Sequence, residues 1–93
     1  DNYSQPHNFG LTSAYPNPFN DAVNIQYSTI KNGHINLGIF DMTGRKITEL
    51  VNGNMSSGDY NVTWHPKDAS AGVYMVRLDT NLKNDIRKIV YMP

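Results

Sequence analysis

The chain reads as an all-β protein, an antiparallel β-sandwich of about seven short strands. Three observations predict this. Apolar residues recur at every second position in several separate runs, and clusters of Asn, Asp, Gly, Ser and Pro fall between those runs every ~8–12 residues. Nowhere does an apolar stripe of period 3.6 last long enough to make a helix.

Taken in order, the first strand is expected over Phe9–Tyr15 and the second over Ala22–Ile30, where Val23, Ile25 and Tyr27 alternate with Asn24, Gln26 and Ser28. Lys31-Asn32-Gly33-His34 carries a tight-hairpin signal, because Asn-Gly tolerates the positive φ angles of a type I′ turn. The third strand follows over His34–Asp41, with Ile35, Leu37 and Ile39 on one face. Asp41-Met42-Thr43-Gly44 predicts a type I turn closed by a left-handed Gly. The fourth strand, Arg45–Val51, is irregular: Ile47 and Leu50 stand three apart, which predicts a bulge or an edge position. A polar loop is expected over Asn52–Gly58, then a strand over Gly58–Trp64 with Tyr60, Val62 and Trp64 on one face. After a loop from His65-Pro66 to Ala71-Gly72 come Gly72–Asp79, with Tyr74, Val76 and Leu78 in phase, and Asp85–Met92, joined through Thr80–Asn84. Seven strands at this spacing read as an immunoglobulin-like sandwich, without the Cys…Trp…Cys pattern of antibody domains.

Ninety-three residues make one domain, which buries only about two-thirds of its unfolded surface and leaves little room for a deep cleft. Ten aromatic residues are enough for a core and argue against disorder. Eight basic and eight acidic side chains cancel, so the chain lacks the electrostatic footprint of a nucleic-acid binder or a polybasic membrane anchor. With no cysteine there is no disulfide, thiolate nucleophile or Cys-based zinc site, and no apolar run approaches the ~18 residues of a membrane span. The opening at Asp1, without Met, leads us to expect a piece of a longer protein: residues 1–8 a linker from an upstream part, 9–93 the domain.

Tyr15-Pro16-Asn17-Pro18-Phe19-Asn20 cannot be a central strand, since two prolines remove two backbone donors; it predicts a bent lead-in anchored by Tyr15 and Phe19. This segment resembles the opening of type IX secretion C-terminal sorting domains and of the related Ig-like domain of the flagellar hook-capping protein. The likeness continues through Ile39-Phe40-Asp41-Met42-Thr43-Gly44-Arg45, Gly58-Asp59-Tyr60-Asn61-Val62-Thr63-Trp64 and Ser70-Ala71-Gly72-Val73-Tyr74-Met75-Val76-Arg77-Leu78 to the closing Arg87-Lys88-Ile89-Val90-Tyr91-Met92. It spans Phe9 to Met92, and the right order and spacing of these motifs make it specific. One departure is the end, Pro93, where family members commonly carry a basic residue. The resemblance implies a non-catalytic module that sits last in an exported cargo protein, is read by the type IX translocon and surface-attachment proteins, and reaches the cell surface or the medium by way of the periplasm. A bacterial source agrees with the lack of disulfides. The rival readings are a structural Ig-like spacer and a carbohydrate-binding module of a secreted hydrolase.

Other candidates yield to plainer readings. His7, His34 and His65 have no metal-ligand spacing. Asn20-Asp21, Asp41 and Asp79 form no alternating calcium loop, so neither metal nor cofactor is expected. There is no nucleophile elbow and no pair of carboxylates set for acid–base work, so an enzyme is not expected. Tyr60, Trp64 and Tyr74 could stack on sugars, but each shares a face with aliphatic residues, which marks core. Asn2-Tyr3-Ser4, Asn54-Met55-Ser56 and Asn61-Val62-Thr63 match the glycan acceptor pattern, which an Asn-rich chain produces by chance. The closing strand is apolar on both faces, Ile86, Lys88, Val90 and Met92 alternating with Arg87, Ile89 and Tyr91, and is expected to offer itself to a partner strand.

Overall fold

The alternating runs become seven strands in a computed structural model, which describes residues 9–93. They are β1 (Gly10–Tyr15), β2 (Val23–Thr29), β3 (Gly33–Asp41), β4 (Lys46–Met55), β5 (Gly58–Trp64), β6 (Gly72–Asp79) and β7 (Asn84–Tyr91). The expected linker 1–8, His7 and the Asn2-Tyr3-Ser4 triplet lie outside the described residues. All pairings are antiparallel, in one sheet ordered β1-β2-β5 and another ordered β4-β3-β6-β7. In the constant-type immunoglobulin arrangement the fourth strand extends the first sheet; here β4 extends the second.

The core is the set of in-phase residues that the alternation marks. Val23, Ile25, Leu37, Ile39, Val76, Leu78 and Ile89 are completely buried, and Tyr27, Ile35, Trp64 and Tyr74 nearly so. Each buried aliphatic side chain stabilises the fold by about 1.5–3 kcal/mol relative to exposure. Trp64 lies edge-on to Tyr74, ring centroids 5.5 Å apart, and Tyr60 stacks on Tyr27 at 5.3 Å. The aromatic residues that could have formed a sugar platform therefore pack between the sheets.

Two turn expectations are corrected. Lys31–His34 is not a hairpin, because β2 and β3 belong to different sheets and Gly33 does not have a positive φ. Asn-Gly permits a type I′ turn without requiring one. Here β2 already has β1 and β5 on its two edges, and β3 has β4 and β6, so neither can pair with the other. The Asn52–Gly58 loop shrinks to Ser56 and Ser57, since β4 continues to Met55 and pairs Asn52 to Met55 with Asn36 to Gly33. That stretch is polar because it lies on an exposed edge strand, and backbone pairing is indifferent to side chains that face water.

Tyr15, expected as an apolar anchor of the lead-in, is 50% exposed, and Phe19 alone of the two is buried; the readings of the β3–β4 turn and of β4 hold. At the β3–β4 turn the Gly44 amide donates to the Asp41 carbonyl at 3.0 Å, with Gly44 at φ 90°. The odd spacing in β4 produces two bulges: the register passes from Leu37↔Val51 to Gly38↔Glu49, skipping Leu50, and from Ile39↔Thr48 to Phe40↔Lys46, skipping Ile47. Both skipped residues pack against the core. The bulges thus keep apolar groups inside where simple alternation would have turned one outward.

Candidate functional site

Tyr15–Asn20, Gly44 and Gly72–Tyr74 fall at one end of the sandwich, whereas Gly58 and Asp59, from another segment of the resemblance, pair with Thr29 and Ser28 toward the other. β1 ends there at Tyr15, opposite Asn24 at the start of β2, and β5 ends there at Trp64, opposite Val23. In the other sheet Asp41 lies opposite Tyr74, and Gly72 opposite Tyr91. Phe19 joins the two sheets, its ring 5.8 Å from Trp64 and stacked at 5.2 Å on Tyr91. Tyr15–Asn20, Gly44, Gly72–Tyr74 and Ile89–Met92 thus share a pole, while Phe9, Thr29–Gly33 and Thr80–Leu82 gather at the opposite one.

The lead-in after β1 is a strap over the last strand. Pro16 and Pro18 stand exposed, Phe19 between them and Asn20 turns inward with only 1% of its surface exposed, and the Tyr15-Pro16 and Asn17-Pro18 bonds are cis. The Phe19 amide donates to the Val90 carbonyl at 2.9 Å, and the Met92 amide donates to the Phe19 carbonyl at 2.8 Å, a parallel bridge beside Tyr91. Asn17 adds a two-way clip: its Nδ2 donates to the Lys88 carbonyl (3.1 Å) and its Oδ1 accepts the Val90 amide (2.9 Å). This corrects the expectation of a final strand with a free backbone edge. The Lys88 carbonyl, both Val90 groups and the Met92 amide are taken by the chain's own strap, which leaves no continuous ladder for an added strand there.

The two faces of β7 do different work. Ile89 is fully buried and Tyr91 lies under Phe19. On the same side, Asp85 accepts the Leu11 amide at 2.8 Å and Arg87 Nη2 donates to the Leu11 carbonyl at 3.2 Å, closing the outer edge of β1. Ile86, Lys88, Val90 and Met92 occupy the other face, with Ile86 and Met92 more than half exposed. Neither closure was read from the sequence. Its traces there are an Asn between two prolines, and an acid and a base in the inward phase of a strand.

The remaining motif residues shape the pole's loops. Tyr74 donates its hydroxyl to the Ser70 carbonyl at 2.6 Å, tying the β5–β6 loop to β6 in the manner of a tyrosine corner. Val73 is half-buried opposite Val90, and Gly72 sits at φ 145°, where a side chain would be strained. In the neighbouring hairpin the Asp41 carboxylate accepts the Thr43 hydroxyl (2.6 Å) and the Thr43 and Arg45 amides (2.9 and 3.0 Å). These bonds, the Thr43 hydroxyl first, hold its pKa below the ordinary carboxylate value of 3.8. A depressed folded-state pKa means that the turn is supported above the unfolded value and loses that support as pH falls through the folded one. In an NMR titration the Thr43 and Arg45 amides are therefore expected to move together with a midpoint below 3.8; a midpoint at or above it would contradict this hydrogen-bond pattern.

Two shallow grooves open at the pole. One, of about 330 Å³, lies among Pro16, Pro18, Asn20 and Met92; the other, of about 400 Å³, runs between the β3–β4 turn and the β5–β6 loop past Arg45, Lys67 and Asp68. Both are open to solvent; the first is lined by no titratable side chain, and in the second the Asp41 carboxylate is taken up by Thr43 and Arg45 and the Tyr74 hydroxyl by Ser70. His34 and His65 stand exposed at opposite poles, and Asp79, at the far pole, is bound by Arg77 and Asn84. The described residues contain no group of three or more metal-ligating side chains, and no helix long and apolar enough to cross a membrane.

A family model described as "Secretion system C-terminal sorting domain" matches residues 13–92. No curated protein and no solved structure matches the chain. The matched span starts within β1, runs through the strap and closes just past β7, so it takes in both halves of the knit pole. The chain belongs to the family of secretion system C-terminal sorting domains, the signals that carry a cargo protein through the type IX machinery to the cell surface or the extracellular space.

Proposed function

We propose that the knit pole is the surface that the type IX translocon and its surface-attachment proteins read. In this reading Tyr15–Asn20, Gly44, Gly72–Tyr74 and, of the signal strand Arg87–Met92, its end Ile89–Met92 build that surface, residues 1–8 lead in from an upstream cargo domain, and the module does no chemistry of its own. One observation carries the reading: Tyr15–Asn20, Gly72–Tyr74 and Ile89–Met92, far apart in sequence, meet at the end of the sandwich opposite the start of β1. A cargo joined before Phe9 would hang from the far pole and leave the near one clear. A machine that handles many cargoes needs such a separation.

The test uses exposed residues, so that folding is left alone. Residues 1–93 are fused behind a reporter in a type IX-competent bacterium, with Tyr15→Ser and Met92→Ser at the near pole and Leu82→Ser at the far one; these residues are 50%, 58% and 48% exposed. The near-pole pair is expected to lower the exported fraction by about tenfold, with a melting temperature within a few degrees of the parent, since exposed positions change stability little. Leu82→Ser should export normally. Export lost on Leu82→Ser and kept in the near-pole pair would refute the assignment of the pole.

A further inference from the structure

The two outer faces of the sandwich differ in chemistry. That of β1-β2-β5 carries Ser13, Asn24, Gln26, Ser28, Asp59 and Thr63, which bond across the strands: Ser13 to Gln26 at 2.7 Å, Ser28 to Asp59 at 2.5 Å and Thr63 to Asn24 at 2.8 Å. Such a face is satisfied in water. The outer face of β4-β3-β6-β7 carries instead a row Lys46–Phe40–Met75–Lys88 in register across all four strands, beside a second row Glu49–Gly38–Arg77–Ile86.

Gly38 leaves space that the Phe40 ring partly fills; a Cβ there would stand 3.3 Å from Phe40 Cε1. Lys46 and Arg77 flank that ring, 5.9 and 5.8 Å from its centroid. Between Phe40, Met42, Met75, Arg77 and Ile86 lies a shallow groove of about 270 Å³, and Met42 and Ile86 are each 59% exposed. Two methionines and an isoleucine around an aromatic floor make an adaptable apolar surface, of the kind used to meet other proteins.

The charges choose the partner. Lys46 is paired with Glu49 at 2.8 Å and Arg77 with Asp79 at 3.1 Å, both on the same sheet. Lys88 has no carboxylate within 4 Å among the described residues. Covering the groove with a neutral or basic surface would strip water from Lys88 and leave its charge uncompensated, which is costly. A second copy stacked face to face would bring a second uncompensated Lys88 to the same interface, with the same penalty. A carboxylate beside an apolar anchor removes the penalty and turns Lys88 into an attraction.

We propose that the outer face of β4-β3-β6-β7 docks a different protein through an aliphatic or aromatic anchor in the Phe40–Met75–Ile86 groove and a carboxylate on Lys88. This does not depend on the pole being the surface that the translocon reads. The test titrates the isotope-labelled chain with three short peptides: alternating leucine and glutamate, alternating leucine and lysine, and alternating serine and glutamate. The first is expected to bind about tenfold more tightly than either control and to shift the amides of Phe40, Met75, Ile86 and Lys88. Lys88→Glu should reverse the order of the two leucine peptides, Lys88→Gln should abolish the difference between them, and Met75→Ser should weaken both about fivefold. Equal binding of the leucine peptides, shifts confined to the free edges of β4 or β5, or self-association of the chain through this face would each overturn the proposal.

Discussion

Phe19→Ala is expected to destabilise the domain by about 3–5 kcal/mol, the usual range for emptying the site of a fully buried aromatic ring. In a domain of this size that corresponds to a fall in melting temperature of roughly 15–30 °C. The size of the effect follows from what the ring touches. It is 1% exposed, tilted against Trp64 at 5.8 Å and stacked on Tyr91 at 5.2 Å, so it fills the space where the two sheets meet at the pole. Its backbone also carries both strap hydrogen bonds, to Val90 and from Met92, and these lose their anchor when the ring is gone. Thermal unfolding followed by Trp64 fluorescence measures the change directly, since the chain has a single Trp. Phe19→Leu, which keeps most of the apolar volume, should cost well under half as much. A Phe19→Ala protein that melts within about 5 °C of the parent would mean that the strap is not part of the core.

Deleting Lys88–Pro93 should have a still larger effect: loss of cooperative folding. The deletion removes Ile89, which is completely buried, and Tyr91, the lower half of the aromatic stack. It also takes away every backbone group that Asn17 and Phe19 bind, and the half of β7 that pairs with Gly72 to Met75. Loss of the Ile89 side chain alone is worth about 2–5 kcal/mol, against a total stability of about 5–15 kcal/mol for a domain of this kind. The expected result is a collapsed amide spectrum and no thermal transition. A dispersed spectrum with a sharp melt would show the last strand to be dispensable. The consequence for function is direct: a truncated chain that fails to be exported has lost its fold as well as its signal. Only surface changes such as Tyr15→Ser, Met92→Ser and Lys88→Glu separate recognition from folding.

The strands were legible because period-two alternation is itself the physical requirement for covering one side of a core. Val23, Ile25, Tyr27 and their counterparts in β3 and β6 had to face inward in any sheet that paired at all. The Asp41–Gly44 turn and the bulges at Ile47 and Leu50 were legible for a similar reason, since backbone conformation there depends on the residues at those positions. The Asn32-Gly33 connection was misread because a turn propensity describes four residues, whereas the sheet that a strand joins depends on which edges are free elsewhere. The polar tail of β4 was misread as loop because an edge strand can have polar side chains and still pair its backbone with β3.

From the sequence alone came the seven strands, the inward set of side chains and the family, each resting on order and spacing along the chain. The three-dimensional structure alone brought the first turn and the last strand together at one pole, put Asn17 and Phe19 on the edge of β7, and set Asp85 and Arg87 against Leu11. Those contacts join residues more than seventy positions apart. No local pattern encodes such a meeting, because its partners are chosen by the packing of two sheets and not by their neighbours in the chain.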